Sequence, residues 1–158
     1  MNFRSSRRFR LLSILSVSLF TSSSLAQGQA NIQRLNPDTL HKPHGYTHVV
    51  VVRSGKTVYI AGQVPLDKQG NLVGAGDFSA QVRQAFENLA AALKAAGVGF
   101  SDVVNMNTYV TDLSQIDKYR EIRAQYMKAD LPAATLVEVK SLFRSDVMIE
   151  MNAVAVAH

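Results

Sequence analysis

The sequence predicts an α+β fold of two layers: a single mixed sheet carrying two helices on one face, in the order β-β-α-β-α-β-β. Three observations predict it. Five segments are rich in Val, Ile, Thr and Tyr. Two others repeat apolar residues at helical spacing on one side only. No internal repeat or long linker divides the 158 residues, a length that suits one domain. Helices apolar on one side cover one face of a sheet and leave the other bare. The bare face still carries apolar residues, so it is expected to pack against other subunits.

The elements follow in chain order. Residues 27–45 are polar, with Pro37, Pro43 and Gly45, and read as an irregular lead-in to a domain spanning 46–158. Residues 47–52 and 57–63 read as two strands, with Ser54-Gly55-Lys56 between them as a hairpin turn. Residues 65–76 hold Pro65, Gly70, Gly74 and Gly76 and predict a loop. Asp77 or Ser79 can cap a helix whose apolar positions Val82, Phe86, Leu89 and Leu93 share one side, with Gly97 as its stop. Residues 102–111 return to strand character. Ser114 can cap a second helix lined by Tyr119, Ile122 and Tyr126, and Pro132 closes that segment. Residues 135–139 and 147–156 supply two more strands; the last alternates Ile149, Met151 and Ala153 against Glu150 and Asn152.

Composition narrows the chemistry. Hydrophobic residues make up 47% and charged residues 18%, which is ordinary for a globular protein and unlike a disordered chain. With no cysteine, disulfide scaffolds, thiolate metal sites and cysteine nucleophiles are excluded. The formal charge of +5 is concentrated at the N-terminus. Four of the 17 Lys+Arg (Arg4, Arg7, Arg8, Arg10) lie in residues 1–26, which hold no acid; the other 13 face 12 Asp+Glu. A nearly neutral body lacks the footprint that phosphate-backbone binding requires, so no nucleic-acid partner is expected.

Residues 1–26 read as a secretory signal. A basic start precedes ten largely apolar residues, 11–20, and a small polar stretch ends in Ser24-Leu25-Ala26. Ten residues fall short of the ~20 that a membrane-spanning helix needs. Cleavage after Ala26 leaves a mature protein with no membrane attachment, periplasmic or secreted. Ser6-Arg7-Arg8-Phe9 resembles a twin-arginine signal only loosely.

The residues that bear chemistry are few. His41, His44 and His48 have a spacing that would suit a metal on a helix, but Pro43 and Gly45 break any helix there, so solvated loop histidines are favoured and no metal or other cofactor is expected. The glycines of residues 70–76 make neither a GxGxxG nor a Walker loop. No GxSxG elbow exists for a Ser-His-Asp hydrolase. Glu150 sits between Ile149 and Met151 in an otherwise apolar strand. Such a carboxylate faces solvent, finds a partner or lines a cleft, and on the residues alone an exposed edge-strand charge is the commoner outcome. Tyr46 and Gln63, polar groups at strand ends, say little by themselves.

Together these pieces resemble the YjgF/RidA family, also called the endoribonuclease L-PSP family, from about Gly45 to Ala157. The matching stretches are Ile60-Ala61-Gly62-Gln63-Val64-Pro65, residues 74–78 with Gln81, Asn88-Leu89, residues 93–97, residues 102–104 and 109–112, Pro132-Ala133, and residues 147–155 with Glu150. The resemblance implies a chorismate-mutase-like fold assembled as a homotrimer, with the sheets inside, the helices outside and small-molecule clefts between subunits.

In the best-known branch the cleft hydrolyses 2-imino acids or enamines to 2-keto acids and ammonia. By resemblance Glu150 matches the glutamate that orients the water, and Tyr46 the cleft tyrosine; Gln63, Ala61, Arg120, Ala134 and Thr135 fall at substrate-binding positions. The departure from that branch is Ala134, which stands where its carboxylate-gripping arginine follows Pro-Ala; Ala61 likewise replaces a serine. Losing a buried charged contact costs roughly 2–5 kcal/mol. The chain thus resembles the arginine-lacking branches. Arg120 or Arg123 would supply charge from the second helix, although most helix-face arginines are simply solvated. Two functions are expected from this: an enamine/imine deaminase-like hydrolase of altered specificity, or a trimer that binds a small metabolite without turning it over. A ribonuclease is disfavoured by the near-neutral body.

Overall fold

The computed structural model describes residues 31–158; the expected signal and the first residues of the lead-in lie outside them. The strands are β1 (Ile32–Leu35), β2 (Val49–Val52), β3 (Lys56–Gln63), β4 (Val103–Val110), β5 (Ala133–Glu138) and β6 (Ile149–Ala157), and the helices are α1 (Phe78–Ala95) and α2 (Ile116–Tyr126). Four strands form one mixed sheet in the order β3-β6-β4-β5. Its β3–β6 and β4–β6 pairs are antiparallel and its β4–β5 pair is parallel. Both helices cover the same face, so the predicted two-layer α+β architecture holds.

The entry into the domain differs from the prediction. The lead-in contains β1, which pairs antiparallel with β2 in a separate two-stranded sheet. Residues 47–52 and 57–63 therefore form no hairpin with each other. The Arg53 amide donates to the Asn31 carbonyl at 2.8 Å and keeps β2 zipped to β1. Across the turn, β3 finds a longer partner in the nine-residue β6, with Lys56 opposite Ala157. The Ser54-Gly55-Lys56 turn thus joins two sheets.

Each helix is set by local chemistry. The Asp77 carboxylate accepts from the Ala80 amide and opens α1. Gly97, with φ +73°, closes it as the Val98 amide reaches the Leu93 carbonyl and the Gly97 amide reaches Lys94. Ahead of α2 the capping acid is Asp112, which accepts from the Ser114 amide and starts a 3₁₀ turn at Leu113–Gln115. Ser114, the predicted cap, does not serve: Gln115 occupies the α2 N-cap and makes no side-chain capping bond. Asp112 wins because it lies one residue before the turn, where its carboxylate meets the free amides.

The core lies between helices and sheet. Phe86, Leu89 and Leu93 of α1 are fully buried against Met106 of β4 and Ile149 and Met151 of β6. Phe86 stacks on Tyr126 with ring centroids 4.7 Å apart and lies 6.1 Å from Tyr119, fastening α2 to α1. Gln81 is buried yet satisfied: it donates to the Gly74 and Asp146 carbonyls and accepts from the Met148 amide. On β6 the alternation sends Ile149, Met151, Ala153 and Ala155 into this core and Glu150, Asn152 and Val154 to the helix-free face. That face also presents Tyr59, 82% exposed, and Val137.

Candidate functional site

Adjacent residues of β4 divide the candidate site in two. Thr108 is buried toward α2, and Tyr109 faces away from the helices. Each borders a different cavity.

The first cavity lies on the helix-free face, encloses about 390 Å³ and is lined by Gly62, Tyr109, Leu142, Glu150 and Asn152. Glu150 stands opposite Tyr109 in the ladder, on β6, which is an inner strand. The edge-strand charge suggested by composition is therefore not what forms; β3 covers the side of β6 that would have been an edge. The Glu150 side chain is half-buried and folds over the backbone of Gly62. A Cβ at Gly62 would collide with Glu150 Oε1 and lie 2.9 Å from Cδ. Glycine is thus what lets the carboxylate lie down on β3. Asn152, two residues on, holds a buried Oδ1 that meets no donor among the described residues.

Ala61 and Gln63 flank this glycine without entering the cavity. Ala61 is exposed. The Gln63 amide donates to the Ala61 carbonyl at 3.1 Å, and its side chain borders a neighbouring hollow of about 440 Å³ against Asn88 of α1. Asn88 is occupied there, donating to the Val64 and Leu66 carbonyls.

The second cavity, of about 350 Å³, lies on the α2 side. Tyr46, Arg120, Ala134 and Thr135, named from the sequence, meet there with Arg123, His44 and the apolar Leu113, Ile116 and Leu136. The Tyr119 hydroxyl and Thr108 Oγ1 share a buried hydrogen bond of 3.0 Å at its floor. Burial pushes the Tyr119 phenol above its ordinary value, against the opposing Thr108 hydrogen bond and Arg123 charge, so it remains a neutral hydroxyl.

The two arginines of α2 behave differently. Arg123 Nη1 donates to the Gly45 carbonyl, and the guanidinium lies 5.9 Å from the Tyr119 ring centroid. Gly45 has φ +85°, and a Cβ there would collide with Arg123 Nη2. Arg123 thereby holds the loop that presents Tyr46. Arg120 is half-exposed and, among the described residues, pairs only with Asp117, one helical turn earlier, at 3.1 Å.

Tyr46 is fixed from its other end too. Its hydroxyl and His41 Nε2 are 2.7 Å apart, and His48 Nε2 lies 2.8 Å from the His41 carbonyl. The histidines thus brace the tyrosine loop. Among the described residues no three His or carboxylate side chains converge as metal ligands.

Within one chain, then, Glu150 with its Gly62 support lies on one face of the sheet and Tyr46, Arg120 and Ala134 on the other; Thr135 borders the second cavity, but its register opposite Asn107 and Asn152 turns its side chain to the Glu150 face, and Ala61 and Gln63 enter neither cavity. Sequence reasoning overlooked the support of Glu150 by Gly62, the clamp of Arg123 on Gly45 and the Tyr119–Thr108 floor. A glycine inside a strand-like run is a legible sign of close approach; the other two have no local signature.

Comparison with known proteins places this geometry. The family described as Endoribonuclease L-PSP matches residues 38–157. A RutC family protein of Pyrococcus horikoshii is 38% identical over 104 residues, 66% of this chain and 82% of that protein. The 2-iminobutanoate/2-iminopropanoate deaminase of Homo sapiens is 32% identical over 111 residues, 70% of this chain and 79% of its own. Among solved structures, a conserved Rid-family protein of unknown function from Yersinia pestis superposes with a TM-score of 0.75 at 36% identity, covering 80% of this chain and 98% of that one.

Proposed function

The chain belongs to the endoribonuclease L-PSP family, also called YjgF/RidA, and on that premise we propose that it hydrolyses small imine- or enamine-type metabolites, with altered specificity, in clefts between the subunits of an exported homotrimer. The observation that carries the proposal is Glu150: a half-buried carboxylate on an inner strand, laid over glycine and bordering a cavity.

A carbon–nitrogen double bond is already electrophilic, so the protein needs chiefly to place a water beside it. Glu150 takes a proton from that water as its oxygen adds to carbon and passes it to nitrogen, giving a carbinolamine; it then takes the hydroxyl proton and passes it to the same nitrogen as the carbon–nitrogen bond breaks and the carbonyl forms. The balance is imine plus water giving carbonyl compound plus ammonia, with no oxidant or reductant. Tyr46, braced by His41, contributes a hydroxyl at the ligand's other side. Because the two residues lie on opposite faces of one chain, a complete site requires the Tyr46 side of one subunit to meet the Glu150 side of the next. The bare sheet face with Tyr59 and Val137, and the unpartnered Asn152 Oδ1, are suited to that contact. The basic, apolar and small-residue order of residues 1–26 supports export to the periplasm or beyond.

Ala134 favours a second reading, a trimer that holds a small metabolite without turning it over, since alanine offers no grip on a carboxylate. The test is ammonia release from imines generated in situ by an amino-acid oxidase. Hydrolysis is expected above the buffer rate, and Glu150→Gln should lower it about 10²–10⁴-fold. No rate above buffer with any imine, alongside a ligand recovered intact from the protein, would establish the binding reading instead. A solution mass equal to one chain would remove both.

A further inference from the structure

We propose that Arg120 is the acid-binding residue of the α2-side cavity, and that the cavity takes an organic anion whose apolar tail packs on Leu113, Ile116 and Leu136. This deepens the functional reading and rests on it for the identity of the cleft.

The inference comes from asking which of the two arginine side chains that border the cavity, Arg120 or Arg123, can turn to an acidic ligand. Ala134 has no polar side-chain atom. Tyr119 and Thr108 are engaged with each other, 3.0 Å apart and buried. The Tyr46 hydroxyl, bonded to His41, offers a ligand a hydrogen bond but no positive charge. Arg123 is clamped to the Gly45 carbonyl and lies over the Tyr119 ring, so turning it toward a ligand would release the loop that presents Tyr46. Arg123 is a positioning residue.

Arg120 remains. Among the described residues bordering the cavity it is the cation held only by a solvated partner: the Asp117 side chain is 92% exposed and that of Arg120 50%. Exposed pairs of this kind are worth little. A carboxylate presented from the cavity exchanges for Asp117 at small cost and gains the fork geometry of the guanidinium. Beyond His44 and Thr135 the rest of the lining is aliphatic, with Leu113, Ile116, Ala134 and Leu136 around about 350 Å³. An acid group at the Arg120 rim and a hydrocarbon tail inside suit that division, and an arginine at position 134 would project into the space the tail needs.

The test is equilibrium binding of 2-keto acids to the full-length assembly, which requires no turnover. The probes are pyruvate, 2-oxobutanoate and 2-oxopentanoate, with 2-oxobutanamide as an uncharged control. Affinity should rise with each added methylene, by up to roughly fourfold. Arg120→Gln should weaken all three acids by about 10- to 100-fold and leave the amide unchanged. Arg120→Lys should restore part of the loss. Asp117→Asn should tighten the acids slightly, because it frees the guanidinium. Arg120 is half-exposed on a helix, so its replacement leaves the unfolding midpoint in place, and a loss of binding cannot be read as a loss of folding.

No binding of any keto acid by the wild type, equal weakening of acid and amide in Arg120→Gln, or an affinity indifferent to chain length would each overturn the proposal. Keto-acid binding that depends on Arg120 in a protein with no imine hydrolysis would keep this inference and remove the hydrolase reading.

Discussion

The two halves of the candidate site are built on opposite principles. The Glu150 half rests on the centre of the sheet: an inner strand, a ladder partner in Tyr109, and a glycine beneath the carboxylate. The Tyr46 half rests on a loop outside the four-stranded sheet, fastened by side chains that reach across from elsewhere, Arg123 above all. The carboxylate is therefore placed by backbone, and the tyrosine by a clamp. Backbone placement survives the exchange of neighbouring side chains. A clamp can be re-formed from new residues, and it is this second half that holds Ala134.

The comparison is broken most sharply at Gly62. A Cβ there meets only the far end of the Glu150 side chain, so the fold can absorb it but the carboxylate cannot stay. Gly62→Ala should lower imine hydrolysis about 100-fold, the scale of a roughly 1 Å misplacement, with the thermal unfolding midpoint nearly unchanged. A midpoint that falls in step with activity would show that the glycine serves the sheet and not the carboxylate.

On the other half the expected effects fall on stability. Thr108→Val preserves shape but leaves the buried Tyr119 hydroxyl without its partner, and should cost roughly 1–3 kcal/mol in denaturant unfolding. Gly45→Ala should cost about 1–2 kcal/mol, because φ +85° is a left-handed backbone that an L-residue resists. It also drives the Arg123 guanidinium off the Gly45 carbonyl. A KM that rises while kcat holds would mark Arg123 as a determinant of loop position. A stable Gly45→Ala protein with unchanged KM would show that the clamp is dispensable.

These contrasts also explain what could be read from the sequence. The sheet order-setting strands, α1 with its Asp77 cap and Gly97 stop, and the inward alternation of β6 are local patterns of period 2 or 3.6, and the structure follows them. The false hairpin at Ser54-Gly55-Lys56 was equally local in its signal, but partner choice was decided by β1 and β6, one of which lay in a segment too short and polar to read as a strand. The Glu150 position was legible as an anomaly, a charge in an apolar strand. That β6 is an inner strand was not, because strand order is a property of the whole sheet. Arg120 and Arg123 sit three residues apart on one side of α2, and no sequence pattern distinguishes the one clamped by the Gly45 loop from the one paired with exposed Asp117; only the path of that loop does.

The smallest predicted effect separates the halves by pH. The loop after Gln63, which continues β3 beyond the glycine that supports Glu150 and rests on α1, is tied by Asp67. Its carboxylate accepts from the Asn71 backbone amide and side chain and from the Gln69 amide, which hold it below the usual carboxylate range. A carboxyl depressed in the folded state contributes its order above the unfolded value, ~3.9, and loses it as the pH falls through the depressed folded value. Thr47, next to Tyr46, is tied by its amide to the Pro132 carbonyl and by its hydroxyl to the Leu131 carbonyl, neither a titratable group. Acidification should therefore lower the protection of the Gln69 and Asn71 amides, taken relative to the intrinsic exchange rate at each pH, before it lowers that of Thr47, whose amide donates to the Pro132 carbonyl at 2.8 Å. Asp67→Asn should give the lower protection already at neutral pH and remove its dependence on pH. If both loops loosened together, acid would be acting on the shared core, and the two halves would not be independently fastened.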